Sequence, residues 1–176
     1  SKLLQIFDRQ FTLISATVLT YNIVGHQNDP DYLLYLVHEL SESKYPHEIP
    51  NTYEFAQIQV QKLADIISKV KNSMKIKKNL GYMEIKDSGA SGAVNFVLGL
   101  SGKDVGVAYK ERADYGIYAV SVRGSKNCKV HLGKIVNKLS TQVGGSGGGH
   151  DKACGASIPK SQIVKFVNLL NTELSK

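Results

Sequence analysis

From Val143 to Lys152 the chain reads Val-Gly-Gly-Ser-Gly-Gly-Gly-His-Asp-Lys. Five of the six residues from Gly144 to Gly149 lack a side chain, at a cost in backbone entropy. Such a run allows a backbone to approach a ligand closely. Consecutive amides of Gly147, Gly148 and Gly149 can form a concavity that donates hydrogen bonds to a phosphate. Ser146 lies inside the run, and His150 and Lys152 would add charge-assisted bonds. The segment His150 to Gly155 is compact and mixed, which is not how a linker usually ends. No Gly-Lys-Ser/Thr closes the run as in a Walker loop, and no helix is expected to open there as in a dinucleotide fingerprint. Composition alone leaves two readings open, a phosphate site and a tight turn or linker.

A second candidate is Arg123, at the end of an expected strand and followed by Gly124, Ser125 and Lys126. An Arg at a strand end among small residues can clamp a phosphate bidentately; an Arg on a solvated turn is the plainer alternative. Other groups carry less. Cys128 and Cys154 are far apart with no Cys-x-x-Cys pairing, and the expectation for both is a small buried hydrophobe. His26, Asp29 and Asp31 are a conceivable metal cluster, but Asp29-Pro30-Asp31 is better explained as a helix start. His131 is expected as a solvated helix-start residue. Tyr109, Tyr115 and Tyr118 are expected in packing, with base stacking by one of them as the alternative.

These residues need elements to position them. Leu33, Leu34, Leu36, Val37 and Leu40 form an apolar stripe after Pro30. Asn51 and Glu54 resemble a capping box, and Ala56, Val60, Leu63, Ile67, Val70 and Met74 then form a heptad-like seam. That seam predicts a long helix packed on its own domain, or a homodimeric coiled coil over residues 56–74. Residues 11–24 are apolar and do not distinguish buried helix from strand. Beyond Gly81 the period changes. Strands are expected at Tyr82–Lys86, Val94–Leu100, Val105–Tyr109, Ile117–Val122 and Ala153–Ile158. A helix is expected at Leu132–Leu139, and a last helix capped by Ser161 carries Ile163, Val167, Leu170 and Leu174. This order predicts an α/β or α+β fold, a mixed sheet flanked by helices and preceded by a helical region with a long connecting helix.

Charge divides the chain in the same place. The net charge is +7 over 176 residues. Residues 1–66 carry four basic side chains against eight acidic, residues 67–100 six against two, and residues 101–176 twelve against five. Only one of the 16 glycines precedes Gly81. Two regions follow, 1–79 helical and 80–176 basic and glycine-rich, the second suited to a polyanion. A hydrophobic share of 42% argues for a globular chain. No apolar run is long enough for a membrane span. Ser1–Arg9 lacks the apolar run of a signal peptide, and two cysteines suggest a reducing interior. A cytoplasmic, nucleoid-associated setting is expected, and Ser1 reads as the start of an intact small protein.

Gly147–Gly155 resembles the Gly-Gly-His-x-x-Ala-x-Gly signature of the DHH-associated domain, the C-terminal substrate-binding half of RecJ-like nucleases and related DHH phosphoesterases. The strand ending at Arg123 and the helix from Leu132 to Leu139 fit the family order, and the likeness spans about residues 80–174. It implies phosphate contact by Arg123, Gly148, Gly149 and His150, with Lys126, Ser146, Gly147 and Lys152 nearby. The family's Asp-His-His triplet, which binds metal in a separate domain, does not occur in this sequence. The resemblance therefore implies a binder with no catalytic residue, metal or cofactor of its own. One account the resemblance implies is a truncated archaeal RecJ-like replication protein bound to the GINS complex and, through it, the MCM helicase, and contacting single-stranded DNA or RNA. The alternative is the substrate-binding part of a manganese-dependent DHH exonuclease or oligonucleotide phosphodiesterase.

Overall fold

The computed structural model describes residues 30–42, 49, 52–86 and 89–175. The cap positions Asp29 and Asn51, His26 and the ambiguous 11–24 stretch lie outside them. The chain divides into two compact units, Ser1–Asp65 and Ile66–Lys176. Helix α1 spans Pro30–Glu42, and the long helix α2 spans Thr52–Ser73, across the division. Toward the end of its heptad-like seam Val70 is fully buried, with Ile66 and Met74 packed against the same cluster inside the second unit. None of the described helices is long and apolar enough to cross a membrane.

The second unit is a mixed six-stranded sheet flanked by helices. Its strands are β1 (Lys75–Ile76), β2 (Leu80–Glu84), β3 (Val105–Arg112), β4 (Ile117–Gly124), β5 (Ser146–Gly149) and β6 (Ala153–Pro159). They lie in the order β1-β2-β3-β4-β6-β5. Only β2 and β3 run parallel, as they must, since a helix crosses between them. That helix is α3, Ala90–Ser101, and it corrects the strand expected at Val94–Leu100. The stripe facing the sheet is Ala90, Ala93, Val94, Val97 and Ser101, at helical spacing, whereas Leu100 is 42% exposed. Alanine, valine and serine form the packed face because α3 lies backbone-close on β3. A Cβ at Gly106 would stand 2.7 Å from the Leu98 amide nitrogen.

Helices α4 (Leu132–Gln142) and α5 (Ile163–Glu173) cover the opposite face. There Leu80, Val105, Val107, Val120, Val122, Leu132, Val136, Ile158, Phe166 and Leu170 form the main core. His131 caps α4, its Nδ1 accepting from the Lys134 amide at 3.3 Å. Ser161 does not cap α5: Lys160–Gln162 forms a 3₁₀ turn, and Gln162 precedes the helix without a side-chain cap.

At the sheet end far from Arg123, Tyr109 and Tyr118 meet edge to face at 5.1 Å, and the Tyr118 hydroxyl donates to Glu84 at 3.1 Å. Burial above all, then the Glu84 charge, pushes the Tyr109 phenol from its ordinary 10 up to about 12. The folded state thus holds this proton more tightly than the unfolded one. Stability is full below pH 10 and is lost as pH rises through 12. Tyr109→Phe is expected to flatten this alkaline limb in melting curves recorded against pH. A limb of unchanged steepness would assign it elsewhere.

Candidate nucleic-acid-binding site

Strand alternation places the site. In β4, Tyr118, Val120 and Val122 are buried under α4 and α5, so Ala119, Ser121 and Arg123 turn to the other face, half-buried. Their register partners in β6 are Ser157, Gly155 and Ala153, and β5 continues two of these rows with Ser146 and Gly148. Three strands therefore present a floor of small residues, with Arg123 at one end. Its Nη1 donates to the Val122 carbonyl at 3.0 Å.

The glycine run is the edge strand itself. The His150 amide donates to Ala153 O at 2.9 Å, which sets the phase of the hairpin. Gly148 and Ser146 then bond toward β6, while Gly147 and Gly149 direct their amides to the free edge. Asn137 of α4 confirms that phase, donating to the outward Gly147 carbonyl at 2.9 Å. Gly148 and Gly149 adopt φ of 152° and 139°, a region that favours glycine. Helix α4 packs on this strand so closely that a Cβ at Gly133 would lie 2.0 Å from Gly149 O.

The first turn of α4 is fully used. Its Leu132 and Gly133 amides donate to Asp151 O and His150 O at 2.9 and 3.0 Å, and Lys134 to His131. The amides of Leu132, Gly133 and Lys134 are thus taken, which leaves the outward amides of β5 and the side chains around them as the candidate donors.

The structure brings Arg123, Lys126, Gly149 and His150 to one end of the sheet. His150 is exposed, and its ring has no hydrogen-bond partner among the described residues. Lys126 is exposed in the turn after β4. Lys152 is drawn inward instead, donating to the Cys128 carbonyl, and it ties two loops together. Ser146 sits in register with Ser157, four residues along β6 from Ala153, or about 13 Å from the Arg123 row. Cys154 is buried, and burial pushes its thiol up to about 11 against the pull of nearby Arg123, so no thiolate forms near neutral pH.

Manganese, which the resemblance implies for a catalytic partner domain, does not fit these donors. The end of the sheet offers Arg123, Lys126 and His150, with carboxylates from Asp104, which accepts from Ser125, and Asp151, and a metal pair needs several converging carboxylates. Among the described residues no three His, Cys, Asp or Glu side chains converge. Sequence reasoning missed Asn137 and Gly133. The signal for Gly133 was present, a glycine in the first turn of an otherwise strong amphipathic helix.

The domain is a mixed six-stranded sheet whose glycine edge strand borders a floor of small residues ending at Arg123. The chain belongs to the DHHA1 domain family, whose model matches residues 78–176. No curated protein sequence matches it. Among solved structures, CDC45 from Entamoeba histolytica is similar over 92% of this chain and 37% of that one, with a TM-score of 0.66 and 10% identity. PggH from Vibrio cholerae, described as a pGpG-specific phosphodiesterase, is similar over 82% of this chain, with a TM-score of 0.64 and 13% identity. RecJ from Thermus thermophilus, in complex with Mg2+, is similar over 89% of this chain and 24% of its own, with a TM-score of 0.57 and 11% identity. The chain spans 50% of the Vibrio protein's length and less of the other two.

Proposed function

We propose that this chain is a non-catalytic RecJ-like factor of DNA replication that holds single-stranded nucleic acid on the β4-β6-β5 floor and binds the GINS complex, and through it the MCM helicase. It would act in the cytoplasm, at the nucleoid. The observation that carries the binding role is the placement of Arg123 and His150 at one end of a sheet whose glycine edge strand turns the Gly147 and Gly149 amides outward. The likeness in fold to CDC45 and RecJ supports the replication role. The sequence lacks the Asp-His-His triplet, which supports binding without hydrolysis by this chain. The exposed Leu63 of the α2 seam is where a second copy would pack in a homodimer.

The double variant Arg123→Ala, His150→Ala is expected to weaken binding of single-stranded oligonucleotides by about tenfold or more, as two charge-assisted contacts are lost. The salt dependence should become shallower by about 0.7 in log-log slope for the phosphate Arg123 neutralises. Titration of a labelled oligonucleotide at several salt concentrations measures both. Unchanged binding would remove the loop from the ligand site. Co-purification with GINS and no manganese-dependent nuclease turnover are expected of the replication factor.

The second reading is the substrate-binding part of a manganese-dependent DHH exonuclease or oligonucleotide phosphodiesterase, supported by the fold shared with the Vibrio phosphodiesterase. It predicts turnover only when a partner supplying the catalytic aspartates is added. Turnover by the chain alone would sink both readings.

A further inference from the structure

We infer that the ligand is a single strand several nucleotides long, whose far end is held in a second, lysine-rimmed groove at the same end of the sheet. This rests on the reading of the glycine strand as a nucleic-acid contact and names the length of ligand that contact serves.

The groove has a volume of about 290 Å³ and carries Lys78, Lys103 and Lys129 on its walls. Val105, Val130 and Leu174 give it an apolar lining. Register explains why the three lysines meet although 25 and 26 positions separate them in the sequence. Leu80 pairs with Val105, Val105 with Gly124, and Arg123 with Ala153. The starts of β2, β3 and β6 and the end of β4 therefore share one end of the sheet. Lys78 precedes β2, Lys103 precedes β3, Lys126 and Lys129 follow β4, and His150 precedes β6. From β6 to β2 there are three strand spacings, about 14 Å. His150 precedes β6 and is three spacings from β2, and Arg123 on β4 is two, about 10 Å, so a ligand that reaches from His150 to Lys78 is longer than one nucleotide.

The walls of the groove are held in place. Ser125 donates to Asp104 twice, from its amide to the carbonyl at 2.8 Å and from its hydroxyl to the carboxylate at 2.6 Å. This joins the turn before β3 to the loop after β4. It also engages the one carboxylate of the groove, leaving three ammonium groups against it. Asn79 donates to Asn171 Oδ1 at 3.0 Å and from Nδ2 to Asn171 O at 2.7 Å, fixing the turn that carries Lys78. Lys152, two residues from His150, donates to Cys128 O, so the glycine hairpin and the groove wall are physically joined. A polyanion leaving Arg123 and His150 passes over the sheet end by Lys126 and Lys129 and enters the groove on the α5 side. Apolar lining beneath a cationic rim suits a nucleotide, base against the lining and phosphate at the rim. A dinucleotide engages the glycine strand alone.

The test uses the full chain and fluorescein-labelled strands, with binding followed by anisotropy at several salt concentrations. Lys78→Gln, Lys103→Gln, Lys129→Gln keeps the side-chain stems and removes three charges. It is expected to lower affinity for a thymidine dodecamer about tenfold or more, to leave the thymidine dinucleotide within about twofold, and to reduce the salt slope by about two. Because Lys103 is half-buried, the pair Lys78→Gln, Lys129→Gln at exposed positions is made as well and should give an intermediate loss. Tight binding of the dodecamer as DNA, as uridine RNA, or as both supports the inference. Wild-type affinity in the triple variant, or equal wild-type affinity for dinucleotide and dodecamer, overturns it. If neither strand binds the wild-type chain, the function proposed above falls with it. If Arg123→Ala, His150→Ala is silent while the lysine variant loses binding, the path from the glycine strand is overturned and the groove is the polyanion site.

Discussion

Gly133→Ala is expected to destabilise the second unit by about 3 kcal/mol, although alanine is normally the better helix former by about 1 kcal/mol. The added Cβ would stand 2.0 Å from Gly149 O, 2.7 Å from the Gly149 carbonyl carbon and 2.9 Å from His150 O. All three contacts are to backbone, so no side chain can swing away to relieve them. Either α4 lifts from the sheet, exposing Leu132 and Val136, or β5 peels from β6. Both movements displace the Gly147 and Gly149 amides, so ligand affinity should fall together with stability. Urea unfolding gives the first quantity and anisotropy the second. Gly99→Ala is the control, since nothing lies within 4 Å of that position on α3 and the usual propensity gain of about 1 kcal/mol should appear. Wild-type stability in Gly133→Ala would mean that helix and strand are not in contact here.

Phe166→Ala is expected to lose about 3–5 kcal/mol, a large part of the roughly 5–15 kcal/mol by which domains are stable. Phe166 is fully buried on α5, the largest of the side chains with no exposure, and packs in one cluster with Leu132, Val136 and Leu139 of α4. Its deletion leaves a cavity between α5 and α4, the helix that packs on the glycine strand. The Lys138–Glu173 ion pair also joins them, at 3.0 Å, but Lys138 is 62% exposed and solvent screens the pair. Val164, two residues earlier and 69% exposed, should tolerate alanine within about 0.5 kcal/mol. Denaturant midpoints of the two variants decide the matter; similar losses would place α5 differently against the core.

Much of the sheet could be read in the chain. The runs Val105–Tyr109 and Ile117–Val122 alternate or are rich in β-branched residues, Ala153–Ile158 is a short run closed by Pro159, and each is a strand that extends a residue or more beyond the run. The stripes of α4 and α5 were legible because large aliphatic residues mark their buried faces. Helix α3 was not, for a physical reason: its buried face is mostly alanine, valine and serine, sized to a backbone contact, while Phe96, Leu98 and Leu100 point less inward and give the segment a continuous apolar look. The glycine run showed that a backbone comes close to something. It did not show that α4 is one such neighbour, through Gly133, or that the run is a paired strand. The lysines of the groove were visible one by one. Their convergence depends on strand order, and β6 lying between β4 and β5 is fixed by pairing across long stretches of sequence.

The two borders of the sheet carry a consequence for crowded solutions. An open border is a template on which another chain can add a strand, and from there an aggregate can grow. On one side β1 stops after two residues, Lys75 and Ile76, with Lys77 next, too short and too charged to template anything. On the other side lies Ser146–Gly149, which offers an incoming strand almost no side chains to interlock with, and α4 packs along it. The same absence of side chains that would admit the proposed ligand to the backbone also denies a second copy its grip, and the molecule can keep a receptive border without polymerising through it.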